Sequence, residues 1–476
     1  MSAGMTPSGN ASHDQLRRVL GLPTAVLLVA GIMIGSGVFK KIVPMAQALP
    51  SESLLIAAWI AAGIITMFGA FTYAGPATMT TESGGVYEYL RLIYGDFISY
   101  LFGWSTFMIF GCGALAALAF VFAQSVNTLT PLPLAGWGIK ILAVLTIAAL
   151  TGFNCRGIKK GGVLNNIVTT AKICGILLLI IAALIYSGSP VPLPQPAPIA
   201  LPPSPGIPLP SPSAPLPPSP SIPLHDAGLL SGFIGAMLSA LWAYDGWANI
   251  TFITGEIRNP KRNVAYAIFG GVGIAMTLYV LLNYGYMRVL SLDRLAGLGQ
   301  DKIAAAEVAG ALMGKAGTVT ISVLIMACTF SALNGCIISY PRVYFRMARE
   351  NVFFRAAGKV HPVTRTPNVS LILSAGWSAV LICTGTFDQI TNLIVFASYG
   401  YFGLAAFGVV RMKKKGRITA RVIGYPVIPW VIILFCATLM INTILTQPRD
   451  SFIGLLLIFS GVPLYLYFKR HASPTP

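Results

Sequence analysis

Apolar residues occur along this chain in long runs separated by short polar or basic segments. Each run is near the roughly 20 residues that an α-helix needs to cross about 30 Å of hydrocarbon. A membrane β-barrel would instead show segments of about ten residues with alternating polarity, and the sequence lacks that pattern. The runs therefore predict an all-α membrane protein with twelve transmembrane spans, at residues 22–45, 53–75, 97–127, 137–153, 163–186, 227–256, 264–287, 314–347, 368–384, 389–410, 424–446 and 451–468.

The composition excludes an ordinary soluble protein and gives no sign of a metal site. Of the 476 residues, 55% are hydrophobic and 10% are charged, whereas soluble domains carry roughly 25% charged residues. The four histidines all fall outside the predicted spans, and the seven cysteines never form a Cys-x-x-Cys pair. We therefore predict no metal and no cofactor, and we expect the cysteines to be small buried residues.

The positive charge of the chain predicts its orientation rather than a nucleic-acid partner. The formal net charge is +18, and the lysines and arginines lie mainly in short loops between the apolar runs. With the N-terminus inside, 23 of the 32 basic residues fall on the inner side and eight on the outer side. This bias predicts that both termini are cytoplasmic.

A proline-rich segment separates two halves of the predicted spans. Residues 187–226 hold 16 of the 33 prolines, which predicts an extended extracytoplasmic linker, with docking of a proline-binding domain as the alternative. The predicted organisation is a tail at 1–21, a first repeat at 22–186, the proline-rich loop at 187–226, a second repeat at 227–410, a basic loop at 411–423, two further helices at 424–468 and a tail at 469–476.

Two of the predicted spans contain residues that interrupt a helix. The first carries Gly31, Gly35 and Gly37, and three glycines within seven positions weaken a helix at its middle. The sixth carries Asp245 and Gly246 between two tryptophans. Backbone groups freed by a break cannot face lipid, so such breaks persist where they line a cavity or where a ligand completes their hydrogen bonds. The alternative is that the glycines only allow close helix packing.

The two interruptions occupy corresponding positions, because span one begins the first five helices and span six begins the second five. Paired breaks of this kind indicate an inverted-repeat transporter whose site lies near the membrane midplane. A half-helix N-terminus offers free backbone N–H groups to a carboxylate, and the opposite end offers carbonyl groups to an ammonium group. Together the breaks fit the zwitterionic head of an α-amino acid.

Several motifs also carry a family resemblance. Residues 34–39 (IGSGVF) are similar to the first-helix signature of the amino acid–polyamine–organocation superfamily. Residues 242–247 (WAYDGW) and 254–263 (TGEIRNPKRN) resemble the sixth-helix signature of its L-type amino acid transporter branch, and residues 331–335 (SALNG) resemble that branch's eighth helix. The resemblance covers all twelve spans. It implies a LeuT-like fold, which is a 5+5 inverted repeat with broken helices 1 and 6 plus two further helices.

The resemblance implies which residues bind substrate. Backbone N–H groups of Gly35, Ser36 and Gly37 would hold the carboxylate. Carbonyl groups in both breaks would hold the ammonium group, and the ring of Trp242 would cover the substrate. The implied binding residues are Ile34, Gly35, Ser36, Gly37, Trp242, Ala243 and Tyr244. For the pocket around the substrate side chain, the candidates are Cys112, Gly113, Asn334 and Phe396.

Two charged residues lie inside predicted spans. Lys172 is in span five, where a charge is costly and is a functional hypothesis by default. By resemblance, its ammonium group takes the place of a sodium ion and bridges span one near Gly31 to span eight near Ser331. A purely structural tether is the alternative. Asp245 could cap the broken helix, neutralise a nearby cation or carry a proton, and we favour the cap.

The predicted function is alternating-access transport of neutral L-amino acids by sodium-independent exchange. The alternative is proton-coupled uptake through Lys172 or Asp245, and a binding-only sensor is a further possibility. An enzyme is not expected, because the spans contain no paired aspartates or serine–histidine set. Expected partners are the amino acid and the lipid bilayer, with a monomer or weak homo-oligomer. The loop between spans three and four has no cysteine, so we expect no disulfide-linked heavy chain and predict a bacterial inner membrane.

Overall fold

The protein is helical throughout the part of the chain that the computed structural model describes. The described residues are 18–74, 76, 84–133, 136–188, 190–191, 228–299, 302–385, 387–418 and 422–471. Within these residues the β-structure consists of two isolated bridges, Leu20 with Ile257 and Val191 with Leu290. Most of the predicted proline-rich loop, and most of both predicted tails, lie outside the described residues.

The helices of the first half follow the predicted spans closely. Their bounds are α1 (Leu22–Met33), α2 (Gly37–Lys40), α3 (Ile42–Ala48), α4 (Glu52–Ala74), α5 (Val86–Tyr94), α6 (Asp96–Ser105), α7 (Cys112–Leu129), α8 (Trp137–Asn154) and α9 (Ile158–Leu184). A π-helical segment, Thr106–Gly111, joins α6 to α7. Carbonyl groups in this segment accept hydrogen bonds from the side chains of Tyr344 and Trp377, as expected where a widened turn releases backbone groups.

The second half contains the other broken span. Its α-helices are α10 (Leu229–Tyr244), α11 (Pro260–Val289), α12 (Leu292–Ala296), α13 (Ala304–Ser339), α14 (Pro341–Arg349), α15 (Asn368–Thr384), α16 (Phe387–Lys414), α17 (Val427–Thr446), α18 (Pro448–Phe459) and α19 (Gly461–Arg470). Two 3₁₀ helices, Trp247–Glu256 and Arg355–Gly358, complete it. The long helix α13 is kinked at Gly314, where φ is +60°.

Ten helices within the described residues are long and apolar enough to cross a membrane, and they coincide with ten of the predicted spans. The two other predicted spans are also helical. Span 227–256 is divided between α10 and the first 3₁₀ helix, and span 368–384 is the apolar 17-residue helix α15. The prediction of an all-α membrane protein is thereby confirmed. The count of twelve spans stays a prediction, because these two elements are shorter than a full membrane crossing.

The broken helices lie in the interior of the molecule. Helix α1 packs against α9, α11 and α13, and every residue from Leu28 to Met33 is buried. The outer helices, by contrast, leave apolar side chains such as Leu145 and Leu445 exposed, which suits contact with lipid. Polar backbone groups at a break are therefore kept away from hydrocarbon and can be bonded by neighbouring helices.

Candidate functional site

Both predicted helix breaks are present, and their main chains pack against each other. Helix α1 ends at Met33 and α2 begins at Gly37, while α10 ends at Tyr244 and the 3₁₀ helix begins at Trp247. A Cβ atom on Gly37 would lie 2.5 Å from the Cα atom of Ala243, and one on Gly246 would collide with the side chain of Ile32. Each break therefore needs its glycine, and Gly246 also has a φ of +99°, which favours glycine.

A narrow pocket lies between the two breaks, with about 320 Å³ of unfilled space, part of which is open to the surroundings. The first break contributes Gly35, Ser36 and Gly37, and the second contributes Trp242 and Asp245. The hydroxyl oxygen of Ser36 is buried and makes no hydrogen bond within the described residues. A buried polar group without a partner is costly, so this hydroxyl is available to a bound ligand.

Two candidates for the substrate side-chain pocket lie on the wrong face of their helices. The thiol of Cys112 lies 3.5 Å from the hydroxyl of Ser374, and Asn334 bonds to Asn154 and Gly161. The residues that line the pocket instead are Ala114 and Leu118 from α7, Cys336 from α13, and Tyr340 between α13 and α14. Ala114 and Cys336 each follow the predicted residue by two positions, which is about 200° around a helix of 3.6 residues per turn.

The other two candidates are occupied in packing between helices. Gly113 faces Ile390 and Ile394 of α16, and Phe396 packs against Gly454 of α18. Neither residue is part of the pocket lining. In a membrane helix both the packed face and the lipid face are apolar, so the sequence did not reveal which side turns inward.

Three of the implied binding residues lie behind the pocket lining. The main chain of Ala243 packs on Gly37, and the hydroxyl of Tyr244 donates to the carbonyl of Trp59 at 3.1 Å. The carbonyl of Ile34 accepts a hydrogen bond from Lys172. These three residues shape the breaks. The predicted site residues that line the pocket itself are Gly35, Ser36, Gly37, Trp242 and Asp245.

Lys172 of α9 bonds the main chain of the first break. Its Nζ atom donates to the carbonyl of Gly31 at 2.7 Å and to that of Ile34 at 2.8 Å, and the side chain is fully buried. These carbonyls lie at the C-terminal end of α1, where the helix dipole favours a positive charge. Hydrogen bonds from a charged donor are stronger than neutral ones. The ammonium group therefore compensates the carbonyls that the break releases.

The contact between α9 and α13 near Ser331 uses other side chains. The hydroxyl of Ser331 lies 3.0 Å from that of Thr169 and donates to the Asn165 side chain at 3.3 Å. Thr169 and Asn165 precede Lys172 by one and two helical turns. The expected bridge is therefore made by two sets of α9 side chains. Lys172 connects α9 to α1, and Thr169 and Asn165 connect α9 to α13.

Tyr279 of α11 is a residue of this site that the sequence analysis missed. Its hydroxyl lies 2.6 Å from the carbonyl of Met33 in the first break and 2.9 Å from that of Ala243 in the second. A hydroxyl carries one proton, so it donates to only one of the two carbonyls at a time. The only available signal was a tyrosine inside an apolar span, whose hydroxyl must find a partner when buried.

A buried ion pair lies at the inner end of the second break. Arg342 of α14 donates to Glu256 at 3.0 Å, and their side chains are 2% and 1% exposed. The backbone carbonyl of Glu256 also accepts from the N–H groups of Val19 and Leu20 at 3.0 Å each. We call this side of the molecule, which carries residues 18–20, the N-terminal face. Segments from both halves of the chain therefore contact each other at the N-terminal face.

A further charge network joins α5 to α14 at the same face. Glu88 pairs with Arg346 and, at 3.0 Å, with Arg91, and Arg91 also lies 3.4 Å from Glu350. Partial burial lowers the pKa of Arg91, but the carboxylates of Glu88 and Glu350 outweigh this and raise it above its ordinary value. Arg346 and Glu350 are themselves paired at 2.9 Å. The network ties a loop helix of the first half to one of the second.

Comparison with known proteins gives a consistent result. The family model described as amino acid permease matches residues 20–467. The serine/threonine exchanger SteT of Bacillus subtilis (strain 168) is 27% identical over 472 residues, which cover 98% of this chain and 100% of that protein. The b(0,+)-type amino acid transporter 1 of Homo sapiens is 27% identical over 467 residues (96% and 89%), and the large neutral amino acids transporter small subunit 2 of Mus musculus is 26% identical over 455 residues (94% and 81%).

The family model covers nearly the whole chain, so the resemblance found in the sequence motifs is confirmed. The apolar helices and the permease match agree on a multi-pass membrane protein, and the relatives are transporters rather than enzymes. This chain belongs to the amino acid permease family of the amino acid–polyamine–organocation superfamily, and it is an amino acid transporter.

Proposed function

We propose that the protein exchanges neutral L-amino acids across the membrane by alternating access, without sodium. The observation that carries this proposal is the pocket between two facing helix breaks, with the unbonded Ser36 hydroxyl inside it. The substrate carboxylate binds the N–H groups of Ser36 and Gly37 and the Ser36 hydroxyl. The N–H of Gly35 contributes less, because it already donates to the carbonyl of Met33 at 2.8 Å.

The substrate ammonium group binds carbonyl groups of both breaks. The family resemblance implies the carbonyls of Ile34, Trp242 and Ala243, and of these three residues Trp242 lines the pocket. Its carbonyl already accepts from the N–H of Asp245 at 3.3 Å, but a carbonyl oxygen has two lone pairs and accepts a second donor. The ring of Trp242 covers the site. Around the substrate side chain lie Ala114 of α7 and Tyr340, which follows the last residue of α13.

Sodium independence rests on Lys172. Its ammonium group is 2.7 and 2.8 Å from two carbonyls of the first break, so a cation of the protein itself occupies a place where a transported cation would otherwise bind. Uptake should be the same in sodium and potassium buffers of equal ionic strength. A several-fold stimulation by sodium would contradict this part of the proposal.

Exchange is supported by the relatives, one of which is named an exchanger. The test uses the purified full chain in proteoliposomes. Uptake of labelled amino acid should require unlabelled amino acid inside, because the loaded carrier crosses and the empty one crosses poorly. Robust uptake into empty vesicles would reject exchange. A counterflow screen of the twenty amino acids then defines the substrate, and it includes the cationic ones because Asp245 faces the pocket.

Proton-coupled uptake through Asp245 or Lys172 is the second candidate, because Asp245 is a carboxylate on the pocket wall. It predicts that an inward-acid gradient drives accumulation into vesicles without internal amino acid. Neutralising the responsible side chain would then abolish that response and leave binding intact.

The proposed architecture is twelve spans in a LeuT-like arrangement, with both termini cytoplasmic in a bacterial inner membrane. Helix α10 with its 3₁₀ continuation and helix α15 supply the two spans beyond the ten long helices. The protein works as a monomer or weak homo-oligomer without a disulfide-linked heavy chain. Single cysteines placed near residues 18 and 471 should be labelled only from the cytoplasmic side by an impermeant maleimide.

A further inference from the structure

A long apolar groove runs between α9 and α13 on the outside of the helix bundle. It encloses about 1010 Å³ of unfilled space, part of which is open to the surroundings. Its walls combine large apolar side chains with small residues, among them Ala171, Gly175 and Ala182 on α9 and Ala327 on α13. From Ala171 to Ala182 the groove follows eleven residues, which is about 17 Å along a helix. Its long axis therefore covers about half of a roughly 30 Å hydrocarbon core.

The rims of the groove face the lipid. Leu178 on α9 is 68% exposed, and Val323 and Met313 on α13 are 51% and 47% exposed. Leu178 and Val323 lie within membrane-spanning helices, where an exposed apolar side chain faces hydrocarbon. The groove is thus continuous with the lipid-facing surface rather than with the pocket between the helix breaks.

The polar side chains of the groove lining have their hydrogen bonds elsewhere. The hydroxyl of Thr320 donates to the backbone carbonyl of Ala316 at 2.9 Å, and Lys172 donates to the main chain of α1. The groove therefore offers little to water or to a polar ligand, which would lose hydrogen bonds on entering it. An elongated apolar molecule matches both its shape and its chemistry.

We propose that the groove between α9 and α13 binds one acyl chain of a bilayer lipid. The acyl chain lies along the groove and covers the part of α9 that carries Lys172, whose side chain is buried beneath the groove surface. Because the ammonium end of Lys172 holds the first helix break, an acyl chain packed against this part of α9 supports the helix from which Lys172 reaches α1. Binding of the acyl chain does not depend on the proposed function, whereas an effect of the bound acyl chain on amino acid exchange does.

The direct test is photolabelling of the full chain in nanodiscs. The probe is a phosphatidylcholine with a diazirine at the middle of one acyl chain, and labelled peptides are mapped by mass spectrometry. Labelling should concentrate on residues 171–182 and 309–327. The variants Ala327→Phe and Ala182→Phe fill the groove from opposite walls, and each should reduce labelling there at least fivefold.

Matched controls place the same ring outside the groove. Val319 on α13 and Ile181 on α9 are 43% and 53% exposed and are not part of the groove lining, so Val319→Phe and Ile181→Phe should leave labelling unchanged. Equal labelling in the filling and control variants would overturn the proposal. So would photo-crosslinked dimers through this face, which would make a second copy of the chain the occupant. If a filling variant does not fold, the unmodified protein is labelled in the presence of excess unlabelled lipid. Loss of labelling at the groove would then support the proposal, and unchanged labelling would contradict it.

A second measurement addresses the effect on exchange. Branched phytanoyl chains are wider than the groove's walls accommodate, so exchange by the unmodified chain should be at least threefold slower in diphytanoyl lipid than in straight-chain lipid. The filled variants should exchange equally in both lipids. A lipid effect that survives filling would contradict the role of the groove. Complete absence of exchange in every lipid would instead refute the proposed function, and the labelling result would still decide binding.

Discussion

The two helix breaks pack against each other beside the pocket but differ in how their backbone groups are bonded. In the first break, the fully buried Lys172 supplies a charged donor to the carbonyls of Gly31 and Ile34. In the second, the carbonyl of Ala243 lies 2.9 Å from the neutral hydroxyl of Tyr279, which also lies 2.6 Å from the Met33 carbonyl of the first break. The second break also brings a carboxylate, Asp245, onto the pocket wall.

This difference indicates that the two breaks are stabilised to different extents. A charged hydrogen bond in a low-dielectric interior is worth more than a neutral one, so the first break is held more firmly by its surroundings. The second break is fixed mainly by close packing of Gly246 against Ile32 and by one shared hydroxyl. We therefore expect loss of the lysine to be more damaging than loss of the tyrosine. The following predictions test that order.

Lys172→Met should have the largest effect. It leaves two buried carbonyls without their charged donor, and each hydrogen bond to a charged group contributes about 1.5–3 kcal/mol. We expect counterflow in proteoliposomes to fall at least 100-fold. Lys315→Met, which changes an exposed lysine on α13, is the control and should exchange normally. Exchange within threefold of the unmodified chain would show that the first break does not need the lysine.

The glycines at the breaks come next. A methyl group at Gly37 would press on Ala243, and Gly246→Ala would add the strain of a positive φ to its contact with Ile32. We expect Gly246→Ala to weaken equilibrium binding of labelled amino acid by at least 30-fold and Gly37→Ala by at least 10-fold, and each factor of ten corresponds to about 1.4 kcal/mol. Gly273→Ala on α11, where the added atom meets open space, should bind normally. Unchanged affinity in both break variants would mean that the breaks do not form the binding site.

Tyr279→Phe should have an intermediate effect. It removes one neutral hydrogen bond, which contributes about 1 kcal/mol, so the dissociation constant should rise roughly fivefold. Tyr284→Phe removes a hydroxyl from a 48% exposed tyrosine of the same helix and is the matched control. A loss as large as that of Lys172→Met would show that the neutral hydroxyl shared by the two breaks matters as much as the charged donor of the first break.

Asp245→Asn should have the smallest effect on a neutral substrate. Under the exchange proposal the carboxylate carries no transported proton, so counterflow of a neutral amino acid should change less than threefold. The informative measurement is uptake driven by an imposed acid gradient. If the unmodified chain responds to the gradient and Asp245→Asn does not, the second break couples protons and exchange is not the whole mechanism.

Much of the site was accessible from sequence because a few residue types are out of place in hydrocarbon. Glycines at Gly35 and Gly37, the acid at Asp245 and the cation at Lys172 are costly at membrane depth, so each marked its own position without help from other parts of the chain. The helix breaks could therefore be predicted from the residues themselves, whereas the contact of Lys172 with the main chain near Gly31 was implied by the family resemblance.

The sequence by itself determined the membrane-spanning segments, the two interruptions and the charges within them, because hydropathy and backbone chemistry act locally. The tertiary structure alone decided which faces of α7 and α13 line the pocket, that Tyr279 joins the two breaks, and that Arg342 meets Glu256. Helices in a bilayer are apolar on both their packed and their lipid-facing sides, so rotation about the helix axis leaves little periodic trace. Partners from different helices are far apart in sequence, and only the packing of the helices brings them within bonding distance.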